Sequence, residues 1–128
     1  MPMTKEEMIQ IIDSEADTVR TIVVGDPVRA FEYQWAEQEA LAFKNGGYTG
    51  AVPSSISAWA QAKNWTAQQA ADDILAAAQA FRTAMSGLRS ARLIGKEGVR
   101  SATTDAAADQ AYQTAIASIR YIRSQVSV

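Results

Sequence analysis

The chain has 128 residues, 48% hydrophobic and 20% charged, with a formal net charge of −2. That suits one globular domain spanning residues 1–128, is too short for two, and argues against general nucleic-acid affinity. It has no cysteine and no histidine, which excludes disulfides, thiolate chemistry, and the commonest metal ligand and general acid–base group.

No apolar run approaches the roughly 20 residues that span a bilayer, so no membrane is expected as a partner. Met1-Pro2-Met3-Thr4-Lys5-Glu6-Glu7 has no apolar stretch behind a basic start, so no secretory leader is expected. Thr4 and Glu7 instead fit a capping box. Met8, Ile12, Val19 and Ile22 follow at helical spacing, with Ile11 and Val23 beside them, predicting a first helix to about Val24. Gly25-Asp26-Pro27 breaks or kinks it, because Pro27 cannot donate to Val23. Asp26 as N-cap with Pro27 behind it predicts a restart in a changed direction, from Pro27 to about Lys44. Asn45-Gly46-Gly47 ends that segment.

Tyr48 to Pro53 reads as a loop, and Ser54 or Ser55 as the cap of a short helix through Lys63. Thr66 and Gln69 form a second capping box, opening the longest helix at Ala67. Ile74, Ala78, Phe81, Met85 and Leu88 alternate steps of four and three, a coiled-coil-like seam. Gly95 or Gly98 is expected to end or weaken that helix. Thr103-Thr104-Asp105 caps the last one, where Ala108, Tyr112, Ala115, Ile119, Ile122 and Val126 repeat the pattern. The expected fold is all-α: a bundle of three main helices plus a short connecting one, the two long helices antiparallel across the turn near Gly98–Asp105. Trp59 and Trp65 read as core pins flanking the short helix.

No reaction chemistry stands out. Asp72 and Asp73 are neighbours on a helix, so they point about 100° apart, and they suit a helix start. Glu32, Glu39, Asp13, Glu15 and Asp17 lack the histidines that a di-metal bundle site needs. Ser54, Ser55 and Ser86 lie in no nucleophile motif. Gly46, Gly47 and Gly50 match neither a P-loop nor a dinucleotide fingerprint. No catalytic residue, metal or cofactor is expected, and no enzyme activity.

Two surfaces remain. Residues 1–81 hold eleven acids and five bases, a balance of −6, whereas residues 82–128 hold seven bases and three acids, a balance of +4. Arg82, Arg89, Arg92, Lys96 and Arg100 share one helix face. They suit either an anionic partner such as nucleic acid, in a small regulatory protein, or a solvated face paired with acids such as Glu37 and Glu39. The second reading is preferred, because no aromatic is interleaved. The aromatic set Phe31, Tyr33, Trp35 and Phe43 is the better interaction candidate. Val28, Phe31 and Trp35 form one stripe; Tyr33, Ala36, Ala40 and Phe43 form another. A helix apolar on two sides usually has two partners, its own core and either another protein or a second copy of the chain; the alternative is that both stripes are covered internally, by the first helix and the Trp59 segment.

Taken together, Val19-Arg20, Tyr33, Glu37, Phe43 to Tyr48, Val52-Pro53, Trp59-Ala60, Trp65-Thr66, Ala70-Ala71, Ile74, Arg89, Arg92-Leu93 and Gly95-Lys96 form a familiar pattern. It resembles small helical proteins of tailed-phage and prophage tail modules, described as tail-fibre assembly or chaperone-like proteins. The likeness covers Val19 to Arg100 and lacks the β-rich portion of the longer assembly proteins. It implies a non-enzymatic role in tail or fibre biogenesis, a tail or tail-fibre partner, and residence in the bacterial host cytoplasm or the virion tail.

Overall fold

Local capping chemistry opens most of the helices. In the computed structural model, which describes residues 3–126, Thr4 Oγ1 accepts from the Glu7 amide and Glu7 Oε1 accepts from the Thr4 amide, each at 3.1 Å. This starts α1 (Lys5–Val24). Met1 and Pro2, the first residues of the Met1–Glu7 segment read above, lie outside the described residues. Gly25 turns the chain at a φ of +64°. Asp26 then caps α2 (Pro27–Asn45) by accepting from the Val28 amide at 2.8 Å, with Pro27 in the first turn. Thr66 and Gln69 exchange the same reciprocal pair of bonds, at 3.0 and 3.1 Å, to open α4 (Ala67–Ser101). Thr104 caps α5 (Asp105–Gln125). No strand occurs among the described residues.

Three expectations need correction. Among the described residues, five helices stand where three main helices and a short one were expected: α1 and α2 are separate helices on either side of Gly25-Asp26. The short α3 (Ser54–Lys63) begins without a side-chain cap. Ser55 Oγ instead donates to Glu39 Oε1 at 2.7 Å. Neither Gly95 nor Gly98 ends α4, which continues to Ser101. Its last carbonyls are met by Lys5, whose ammonium donates to Ala102 O at 2.7 Å and to Arg100 O at 3.2 Å. A cation there also suits the negative end of the helix.

The described residues divide into two compact units. One takes residues up to Val24 and from Thr83 onward; the other is Gly25–Arg82. In the first, Met8, Ile12, Ala16 and Val19 of α1 meet Leu88 and Val99 of α4 and Ala108, Tyr112, Ala115, Ile116 and Ile119 of α5. The four-three pattern of α5 is its buried face. The two helices that flank the Ala102–Thr104 turn run antiparallel: a methyl at Gly95 would overlap Ala115 Cβ, and one at Gly98 would lie 3.0 Å from Ala111 Cβ. These glycines are where the helix backbones come closest, which explains why they sit inside a helix. In the second unit, Ala40 and Phe43 of α2, Ile56 of α3, and Ala70 and Ala71 of α4 form a smaller core. Tyr48 stands edge-on to Phe43, with centroids 5.7 Å apart.

Candidate protein-binding surface

The aromatic set of α2 divides. Phe43 is 6% exposed and belongs to the core of its unit. It is unavailable to a partner in this fold. Val28, Phe31, Tyr33 and Trp35 are 57–70% exposed. Both buried residues of α2, Ala40 and Phe43, lie in its C-terminal half. The N-terminal half, from Pro27 to Trp35, is therefore a helix with large apolar groups in water. Val28, Phe31 and Trp35 fall on one stripe at steps of three and four, and Tyr33 lies off it. Leu41, also exposed, was not singled out by sequence reasoning, because it belongs to neither stripe.

The amount of surface is informative. On the stripe, Phe31 and Trp35 each leave roughly 100–150 Å² in water, and Val28 brings the total to roughly 350 Å². Contiguous apolar patches of this order are the largest that ordinary monomers carry, and they are frequently binding sites.

The Trp59–Trp65 corner differs from the expectation of core pins. Trp59 is 36% and Trp65 38% exposed. The rings pack edge to face, with centroids 6.3 Å apart. Lys63 Nζ lies 5.2 Å from the Trp59 ring and 5.5 Å from the Trp65 ring. The Trp59 indole N–H donates to Asp73 Oδ2 at 2.8 Å. An indole with its polar edge bonded and one face covered by a lysine stem holds a corner without entering the core. Asp72 accepts from the Tyr48 phenol at 2.5 Å. The neighbouring carboxylates thus diverge onto Tyr48 and Trp59 and serve as acceptors. The bond to Asp72, followed by desolvation and the carboxylate charge, raises the Tyr48 pKa.

The basic residues of α4 are mostly paired. Arg82 forms an ion pair with Glu37, which holds the Glu37 carboxyl below its ordinary range and raises the guanidinium. Glu39, the other expected acid, binds Ser55 instead. In the other unit, Lys96 and Arg92 reach the two carboxylate oxygens of Asp13 at 3.0 and 3.5 Å. Arg100 approaches Glu97 at 3.8 Å. Arg89 is exposed. Glu15, considered for a metal, accepts from Arg120 at 3.4 Å. Among the described residues, no cluster of three or more carboxylates could hold a metal ion, and no helix is long and apolar enough to cross a membrane.

Comparison with protein-family models, with curated proteins and with solved structures gives no match.

Proposed function

We propose that this is a non-enzymatic, tail-associated protein of a tailed phage or prophage, acting as a tail-fibre assembly factor of chaperone type or as a minor tail component. Its partner is a tail or tail-fibre polypeptide, met through protein–protein contact in the host cytoplasm. Its contact surface is the N-terminal half of α2. One observation carries the choice of surface: Val28, Phe31, Tyr33 and Trp35 stand 57–70% exposed on a helix segment that contributes nothing to the core. The choice of partner is supported by the aromatic and glycine pattern from Val19 to Arg100. An apolar helix face of this kind can cover a complementary apolar surface, or a strand edge flanked by one, on a subunit that has yet to assemble.

Co-expression with the fibre polypeptide tests this directly. The wild-type chain should raise the yield of soluble fibre protein and co-purify with it. A Tyr33→Ala, Trp35→Ala double variant, shown to be folded by its helical circular dichroism, should lose both effects. A fibre yield indifferent to the wild-type chain would remove the assembly role. Co-purification retained by the folded double variant would move the contact to another surface.

A further inference from the structure

The two units bury very different amounts. Among the described residues, the core of the first contains eleven side chains, eight of them larger than alanine. The core of Gly25–Arg82 contains five, and only Phe43 and Ile56 are larger than alanine. Stabilisation follows the apolar area removed from water, and an alanine methyl removes little. Gly25–Arg82 is therefore much the weaker unit.

The chain passes between the units at two places, and neither carries a buried side chain. One is Gly25, at a φ of +64° with nothing within 4 Å of where a Cβ would stand. The other lies inside α4, where residues 79–83 are all exposed, so no face of the helix is buried there. A helix can end at such a stretch without uncovering any core. The first unit is also closed in itself. Lys5 bonds the Ala102 carbonyl, and Asp13 pairs with Arg92 and Lys96. This register runs α1 antiparallel to α4 and brings Val24 level with Thr83, at one end of the three-helix core. Opening everything between them turns a folded insert into a flexible loop, and the entropy of closing a loop rises only with the logarithm of its length.

We propose that Gly25–Arg82 opens and closes as a cooperative unit of its own while α1, the second half of α4 and α5 stay folded. Opening uncovers Ala40 and Phe43, so the second apolar stripe of α2 joins Val28, Phe31 and Trp35 in water. A partner that takes both stripes holds the unit open, because it binds that state alone. The inference stands on the two cores and the two passages between them, and goes beyond the tail-fibre reading without resting on it.

Native-state hydrogen exchange of the full chain in dilute urea, read amide by amide, tests it. Ala40, Phe43 and Ala60 should exchange through one common opening, at least about tenfold faster than Ile12, Val19 and Ile119 after correction for intrinsic rates. Ile56→Val and Ile12→Val each take a single methyl group from one core, a change mild enough to leave the chain folded. Ile56→Val should speed the first set about two- to tenfold. Ile12→Val should speed the second set by a similar factor and leave the first unchanged. Equal protection of the two sets, or an Ile12→Val variant that speeds both alike, means a single cooperative fold and overturns the proposal. A first set untouched by Ile56→Val means that α2 and α3 fray piecemeal, and overturns it as well. No fibre protein enters either measurement, so the assembly reading stands or falls separately.

Discussion

Replacing each of the three glycines inside α4 by alanine separates two opposing effects. Every such change removes the helix-interior penalty of glycine, about 1 kcal/mol. What the new methyl meets differs from site to site. At Gly87 it would lie 3.0 Å from Cδ1 of Ile122, the free end of a side chain that can turn aside. At Gly98 it would lie 3.0 Å from Ala111 Cβ, which can retreat only by shifting α5 a few tenths of an ångström. At Gly95 it would overlap Ala115 Cβ, with Ile12 Cδ1 at 3.4 Å behind it. Relief there requires the two helix axes to move apart, and such overpacking costs about 1–3 kcal/mol. The expected net effects are a gain of up to about 1 kcal/mol for Gly87→Ala, little change for Gly98→Ala, and a loss of about 1–2 kcal/mol for Gly95→Ala.

Thermal unfolding followed by far-ultraviolet circular dichroism measures this, at about 3–5 °C per kcal/mol for a chain of this size. Tryptophan fluorescence is the wrong probe, because Trp35, Trp59 and Trp65 all belong to Gly25–Arg82. The double variant Gly95→Ala, Ala115→Gly returns the methyl to the opposite helix. It should recover the packing loss while keeping one interior glycine, a coupling that a double-mutant cycle isolates. Equal shifts for all three single variants would refute the close approach at Gly95, since only propensity would then be acting.

The remaining expectations are smaller or simpler to read. Trp59→Ala and Trp65→Ala should each lose about 1–3 kcal/mol, below the roughly 3–5 kcal/mol of a fully buried aromatic, because each ring is over a third exposed; a loss of 4 kcal/mol or more would return the ring to the core. Asp13→Ala should cost no more than about 1 kcal/mol, with less effect at high salt, since its partners Arg92 and Lys96 are only partly buried; a large salt-independent loss would contradict this. The Tyr48 pKa is raised by Asp72, so its contribution is complete below the unfolded tyrosine pKa of about 10 and is lost as pH rises through the folded value. Asp72→Asn should bring the tyrosinate absorbance titration to lower pH, and superimposable titrations would show that the bond does not form in solution. The α4 bases should give no submicromolar binding to duplex or single-stranded DNA at physiological salt; tight binding with a steep salt slope, weakened by Arg89→Ala, would instead support a regulatory role.

The helix starts were legible because capping is local. Thr4 with Glu7, Asp26 with Pro27, Thr66 with Gln69, and Thr104 all act within three residues of themselves. Each misreading has a cause on another element. Ser55 lies inside the first turn of α3, whose N-cap position is Pro53, and its hydroxyl donates to Glu39 of α2. Gly95 and Gly98 look like stop signals by propensity, and the reason they are tolerated lies on α5, at Ala115 and Ala111. Lys5 gave no sign of closing α4, since the carbonyls it meets are 95 and 97 residues away. Trp59 and Trp65 read as core by residue type, but Asp73 and Lys63 supply polar and cationic contacts that suit a ring at the surface.

The same limit explains why the candidate surface could only be half seen. Helical periodicity identifies which faces are apolar and carries no information on what covers them. On α4, Ile74, Ala78, Phe81, Met85 and Leu88 read as one seam. Ile74 packs against the core around Phe43, Met85 and Leu88 serve the core around Met8, and Phe81 between them is exposed. One periodic signal thus serves two cores and leaves a gap. On α2 the second stripe leads to Phe43 in the core, whereas Val28, Phe31 and Trp35 form the first with no core residue among them. Phe31 and Phe43 are the same residue type on the same helix, and their different fates depend on α3 and the start of α4 reaching only the C-terminal half of α2. Once that reach is known, the residues the core leaves in water are the ones available to a partner, and these are Val28, Phe31, Tyr33 and Trp35 with Phe43 removed.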